Sequence, residues 1–288
     1  MDAVELQHEI DLALLTPLIR TVQIPARPSI LAKVQEELQS EAPLIQRLAQ
    51  TVSCDVAISA ALLKIANSPL MGLSRRAETV SQAFTLLGLR QVEAVLTEIT
   101  LKKALRGDGM AMERFWDVSS KRARAMAYLA RRERLGPADI AHSFGLFMDV
   151  GIALLMQQPL IPSYANTLRI ANDSMDPFTQ VERERHGTDH CLLGAAMARD
   201  WGVSQTVLLA VRLHHDYATL DDPRTPTVVR DLVALSAVVD HIIQRFAGQN
   251  HTLEWAKAGP RSCHCLDLDE AQLEHWTEEI HELFNQEG

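Results

Sequence analysis

Residues 62–92 read LLKIANSPLMGLSRRAETVSQAFTLLGLRQV. Two helices and their punctuation are legible in this one stretch. Apolar residues recur at helical spacing from Val56 to Ser68, Asp55 stands where an N-cap belongs, and Pro69 stops the run. Thr79 followed by Gln82 fits a capping box for VSQAFTLLG, and Gly88 supplies the end of that helix. No alternating β-branched pattern interrupts the segment.

The same periodicity extends in both directions. Upstream, IPARPSILAKVQEELQ predicts a helix capped by Ser29, and APLIQRLAQTV a second short one. Downstream, a helix is expected from Leu89 to about Leu105, then the polar break RGDGM. Further helices are expected over FWDVSSKRARAMAYLARRERLG, from Pro137 to about Gln158, and up to His186, where Gly187 breaks the chain. Thr188 or Asp189 caps HCLLGAAMARDWG, Ser204 caps QTVLLAVRLHH, and a helix from Val228 to Phe246 follows LDDPRTPT. The expectation is an all-α, multi-helix protein. It divides into an N-terminal helical part (1–108), a second helical part (109–250) and a C-terminal segment (251–288). In that last segment Leu273, Trp276, Ile280 and Leu283 recur at helical spacing, which predicts a terminal helix packed on the body.

Composition narrows the function classes. With 47% hydrophobic and 23% charged residues among 288, the balance is that of a globular protein with ample core material. A net charge of −9 disfavours a nonspecific nucleic-acid or acidic-membrane binder. The N-terminus MDAVELQHEID does not read as a signal peptide, and the apolar runs look short for a membrane span, so a soluble, cytoplasmic protein is expected. Cys54, Cys191, Cys263 and Cys265 suggest no disulfide framework. Cys263-His264-Cys265 is chelate-like, but its spacing is not that of a zinc knuckle, and a surface loop is the plainer reading. There is no GxxxxGK[ST], GxGxxG or GxSxG motif. Lys121, Arg122, Arg124, Arg131, Arg132 and Arg134 gather on one helix and read as a solvated face.

The informative polar residues are Asp149, His190, His214, His215 and Asp240. Asp149 interrupts the apolar run FGLFMDVGI (144–152), where an unpaired charge is costly. His214 and His215 end a helix, His190 opens one, and Asp240 shares a face with Val229, Val233, Ser236 and Ile243. Such a set is either a metal site or a fully bonded structural network.

Residues 62–92, with the Ala-Asn-Ser turn, the basic linker and the Ala-x-x-x-Leu-Gly helix end, resemble a signature segment of the HDOD family. IPARPSIL resembles that family's Leu-Pro-x-Leu-Pro opening. Residues 183–216, with Gly187, His190, Gly194, Trp201 and the double histidine, are similar to its later signature. The resemblance covers about residues 15–216. It implies a helical fold related to the HD phosphohydrolases, in bacterial signalling and regulatory proteins. Catalytic relatives hold divalent metals with a histidine, a His-Asp doublet and a distant aspartate. Here Asp149 matches the doublet aspartate, but Met148 stands in place of its histidine. Val118 in FWDVS stands in place of the first histidine. Asp240 matches the distant aspartate, and His190, His214 and His215 the later histidines. Neither valine nor methionine serves a hard divalent ion.

The resemblance therefore implies a non-catalytic signal-transduction or regulatory module with no metal or other cofactor, acting through an unidentified signalling partner. The alternatives are a metal-dependent phosphohydrolase or phosphodiesterase with an altered ligand shell, and a sensor that binds a small phosphorylated ligand. Asp149 is expected to face His190 or His214.

Overall fold

The computed structural model describes residues 3–13, 22–41, 43–105, 107, 109–160, 162–248 and 252–287. Among these residues there are helices and no strand. The N-terminal helices are α1 (Ala3–Ala13), α2 (Ser29–Leu38), α3 (Ile45–Ser53), α4 (Val56–Ala66), α5 (Val80–Leu87) and α6 (Leu89–Ala104). A 3-10 turn, Pro69–Met71, follows α4.

The caps explain most of the boundaries. Asp55 accepts from the Ile58 amide at 3.0 Å, and Thr79 from the Gln82 amide at 3.2 Å. Gln82 reaches back to the amide of Glu78, one residue before the expected partner. Gly88, at φ 80°, turns α5 into α6. Ser29 is not a cap: Pro28 holds that position and Ser29 opens the helix. The Asn67 side chain bonds both the carbonyl and the amide of Ala77, at 2.8 and 2.7 Å, which closes the loop after α4.

Next come α7 (Met110–Glu133), α8 (Ala138–Phe147), α9 (Val150–Met156), α10 (Tyr164–Asp173), α11 (Phe178–His186), α12 (His190–Asp200), α13 (Gln205–Leu213) and α14 (Thr227–Ala247). Beyond them lie α15 (Glu254–Cys265) and α16 (Glu270–Glu287). The single helix expected from Pro137 to Gln158 is two, broken at Met148–Asp149. The helix expected to reach His186 is also two, α10 and α11. Cys263-His264-Cys265 is the last turn of a helix, not a loop. Arg106, Asp108 and residues 249–251 lie outside the described residues, so the divisions expected after 108 and 250 fall on or beside them.

Two apolar cores result. The smaller joins α2 to α6 through Val34, Leu48, Leu62, Phe84 and Val95. The larger is built by α7 to α9, α12 to α14 and α16, and takes in Leu6 and Ile10 of α1. Helix α6 runs from one to the other: Val92, Val95 and Leu96 belong to the smaller core, Leu101 to the larger. Buried polar contacts tie the two together. Glu98 and Gln91 of α6 hold His142 of α8, at 3.1 and 3.3 Å. Trp201 donates to the Pro25 carbonyl at 2.8 Å, joining the IPARPSIL segment to the end of α12.

By length and composition, the stretch Ala138–Met156 could cross a membrane, contrary to the expectation that no run was long enough. Yet 67% of its most apolar window is buried in this protein, and the stretch contains the break at Asp149.

The basic helix α7 also departs from expectation. Arg122 is 5% exposed and lies inside the protein. Arg124 grips both carboxylate oxygens of Glu287 at 2.8 Å, and Arg131 donates to the Met71 carbonyl at 2.8 Å. Arg132 pairs with Glu279. These side chains clamp the terminal helix and the Pro69–Met71 turn to the body, so only part of the cluster is a solvated face.

Candidate functional site: a histidine cluster beside a buried arginine

The break between α8 and α9 creates the site. Asp149 sits there with φ −102° and ψ 7°, outside helical geometry, and its side chain turns toward the start of α12 and the end of α13. Gly151 allows this arrangement. A Cβ at that position would stand 2.0 Å from the His190 carbonyl oxygen, so only glycine lets α9 lie against the first residue of α12.

Asp149 Oδ1 lies 3.4 Å from His214 Nε2 and 3.6 Å from His190 Nε2, and the two Nε2 atoms are 3.2 Å apart. His215 completes a group of four whose ligating atoms lie within 4.8 Å of one another. Behind each ring is an acceptor for its other nitrogen. His190 Nδ1 faces Glu182 at 2.7 Å, His214 Nδ1 the Val211 carbonyl at 2.8 Å, and His215 Nδ1 Glu254 at 3.0 Å. Tyr164 hydrogen-bonds the other oxygen of Glu182, and Phe178 stacks on His215 at 4.7 Å.

These acceptors place protons on Nδ1 and leave Nε2 with its lone pair. Two imidazole lone pairs and a carboxylate oxygen then converge, which is unfavourable unless a proton or a cation lies among them. The electrostatics agree. Burial opposes charge on His214, yet the Cys191 sulfur and the Asp149 carboxylate beside it raise its pKa to about 10. Burial, then the charge on His214, pushes His215 down, toward the neutral form that a ligand needs.

The opposite oxygen of Asp149 meets a guanidinium. Arg122 Nη1 lies 2.8 Å from Asp149 Oδ2, and Arg122 Nε lies 2.5 Å from Asp240 Oδ1. Burial alone would raise the Asp149 pKa. Arg122 first, then His214, hold it well below the usual carboxylate range instead. Asp240 is raised, by burial and by its neighbour Asp149, with Arg122 opposing. Val118 and Met148 line the same cavity of about 470 Å³, together with Asp149, His214, His215 and Asp240.

The five residues singled out in the sequence thus divide. Asp149, His190, His214 and His215 form one cluster, while Asp240 is bound to Arg122. Arg122, Glu182 and Glu254 were not singled out as site residues. Arg122 follows Val118 by one helical turn, a signal available in the sequence. Glu182 and Glu254 come from separate helices with no diagnostic spacing.

A tetrahedral ion about 2.0–2.2 Å from its nitrogen and oxygen ligands would hold them about 3.3–3.6 Å apart. The separations of 3.2, 3.4 and 3.6 Å among Asp149, His190 and His214 are close to these, and an acceptor behind every imidazole is the usual support of metal-binding histidines. The histidine side therefore fits one divalent ion of borderline softness. The Asp240 side does not fit one: a guanidinium sits between its two carboxylates, and the positions flanking it are Val118 and Met148.

The body is all-helical among the described residues, with an aspartate and three histidines converging beside the α8–α9 break and a second aspartate, Asp240, on α14. The HDOD domain family model matches residues 24–217, and the chain belongs to that family. The chain superposes with TM-score 0.69 on an HDOD domain protein of unknown function from Geobacter sulfurreducens. Identity is 20%, covering 100% of this chain and 99% of that one. A candidate phosphohydrolase from Shewanella amazonensis gives TM-score 0.68 at 18% identity, covering 98% and 95%. Among curated proteins, an uncharacterized protein of Treponema pallidum is 24% identical over 246 residues, 80% of this chain and 44% of that protein. The chain thus spans less than half the length of that relative.

Proposed function

We propose that this protein is a signal-transduction or regulatory module that does not hydrolyse phosphate esters and acts through protein or small-ligand contacts. The observation that carries this reading is Arg122. Two-metal hydrolysis needs a carboxylate shared between ions that together polarise the phosphate and generate hydroxide. Here the second face of Asp149 is committed to a fixed guanidinium. A guanidinium neutralises the carboxylates but offers no open coordination position and does not lower the pKa of a bound water.

On the histidine side, Asp149, His190, His214 and His215 would hold a single divalent ion. Such an ion would supply Lewis acidity and a rigid anchor at the floor of the cavity. This chain's own groups orient the rings: Glu182, the Val211 carbonyl and Glu254 keep the protons on Nδ1. Arg114, Lys121 and Arg169 also line the cavity, Lys121 paired with Asp117 and Arg169 with Asp173, and a second reading is a sensor whose small phosphorylated ligand would meet these cations.

The test is metal content together with turnover. Protein purified without chelators and loaded with Mn²⁺, Fe²⁺, Ni²⁺ or Zn²⁺ is expected to take about one ion per chain. It is expected to leave bis(p-nitrophenyl) phosphate unhydrolysed above buffer. Turnover that disappears with Asp149→Asn and with His214→Ala would overturn the non-catalytic reading.

A further inference from the structure

We infer that Glu254, on a helix beyond the segment matched by the family, positions His215 in the Asp149–histidine cluster and so makes α15 a determinant of metal affinity. The inference rests on the reading of that cavity as a site for one divalent ion. Glu254 lines the wider cavity but is not one of the four side chains whose ligand atoms converge. It acts from behind. Its Oε2 receives His215 Nδ1 at 3.0 Å and the Tyr217 hydroxyl at 2.5 Å. The tyrosine proton is thus committed to the carboxylate, and the imidazole proton is held on Nδ1. The nitrogen left with a lone pair is Nε2.

Glu254 is itself held in place. Lys257 Nζ bonds its other oxygen at 2.6 Å, and the Thr252 hydroxyl accepts from its amide at 3.0 Å. The start of α15 is pinned to the neighbouring helices: the Leu253 amide donates to the Asn172 carbonyl at 2.9 Å, and Lys257 to the Asp176 carbonyl at 2.8 Å. On the same side, Phe178 stacks on His215 with an interplanar angle of 12°. His215 is therefore gripped by a ring face and a carboxylate, from α11 and α15 respectively. His190 has an equivalent partner in Glu182, which lies inside the matched segment. The two carboxylates play the same part, but only Glu254 makes the site depend on the C-terminal helices.

Loss of an outer partner of this kind lowers metal affinity about 10–100-fold. Coupling in binding is reciprocal, so an ion in the cavity should also steady α15. The experiment titrates the metal-free 288-residue chain with Co²⁺, follows the visible absorption, and measures affinity by competition with a chromogenic chelator. Glu254→Ala is expected to weaken Co²⁺ binding about 10–100-fold. It should also dim the visible bands as His215 gives way to water. Glu254→Gln, which keeps an acceptor for Nδ1–H, should recover most of the affinity. In the wild-type chain, Co²⁺ should slow amide exchange in α15. If wild-type protein binds no Co²⁺, the cavity reading itself is overturned. If wild-type binds and Glu254→Ala and Glu254→Gln bind with unchanged affinity and spectrum, the cavity stands and the role of Glu254 is refuted.

Discussion

Replacing Arg122 by methionine removes the cation between Asp149 and Asp240 while keeping most of the side-chain volume. Breaking a buried ion pair by deleting one partner costs about 3–5 kcal/mol, because the other charge is left uncompensated. The side chains of Arg122, Asp149 and Asp240 are 6%, 16% and 26% exposed, so water screens the aspartates in part. That places the cost near the lower end, about 3 kcal/mol. At about 2–3 °C per kcal/mol for a chain of this size, the melting temperature should fall by about 6–9 °C.

The sign with pH follows from the same contacts. Arg122 is the main influence holding the Asp149 pKa down in the folded protein. The stability Asp149 contributes is therefore present above the ordinary carboxylate pKa and is lost as pH falls below it. Without Arg122, Asp149 titrates higher, and protonation removes the penalty. The deficit of Arg122→Met relative to wild type should be full at pH 7 and shrink toward pH 4. Thermal or urea unfolding in the presence of a chelator at both pH values measures it. Arg122→Lys, with a charge that cannot fork between two carboxylates, should fall between the two. A methionine variant within about 0.5 kcal/mol of wild type at pH 7, inside the range of ordinary surface substitutions, would refute the assigned role. So would a deficit that is the same at both pH values.

Two further outcomes test the site's construction. Val118→His with Met148→His introduces two imidazoles yet should add no second ion, because Arg122 occupies the space. Adding Arg122→Ala should raise the metal content by one equivalent in elemental analysis, and a second ion in the double variant alone would show that Arg122 is not the obstacle. Gly151→Ala drives a methyl group into the His190 carbonyl. It should cost about 1–3 kcal/mol or more by overpacking and weaken Co²⁺ binding, and an unchanged melt would contradict the close approach of α9 and α12.

Much of the fold was legible because helix signals are local. Asp55, Thr79, Asp189 and Ser204 cap the helices that follow them, each through an amide three residues on. Gly88 and Gly187 end theirs at positive φ. The errors arose where tertiary contacts override propensity. The apolar run through FGLFMDVGI carries no proline, and its glycines at 145 and 151 lie to either side of the break, which falls at Met148–Asp149 where Asp149 meets Arg122 and the histidines. Arg122 read as solvated because the sequence shows a basic residue on a helix, not the two carboxylates, from α14 and the α8–α9 break, that fold onto it.

The sequence by itself determined the helical class, most helix ends and the family. Only the tertiary structure decided that Asp149 is held from two sides, by an arginine on one and a histidine cluster on the other. The reason is physical: a buried charge is defined by what surrounds it, and the partners of Asp149 come from positions 122, 190 and 214, set by packing and by no spacing along the chain.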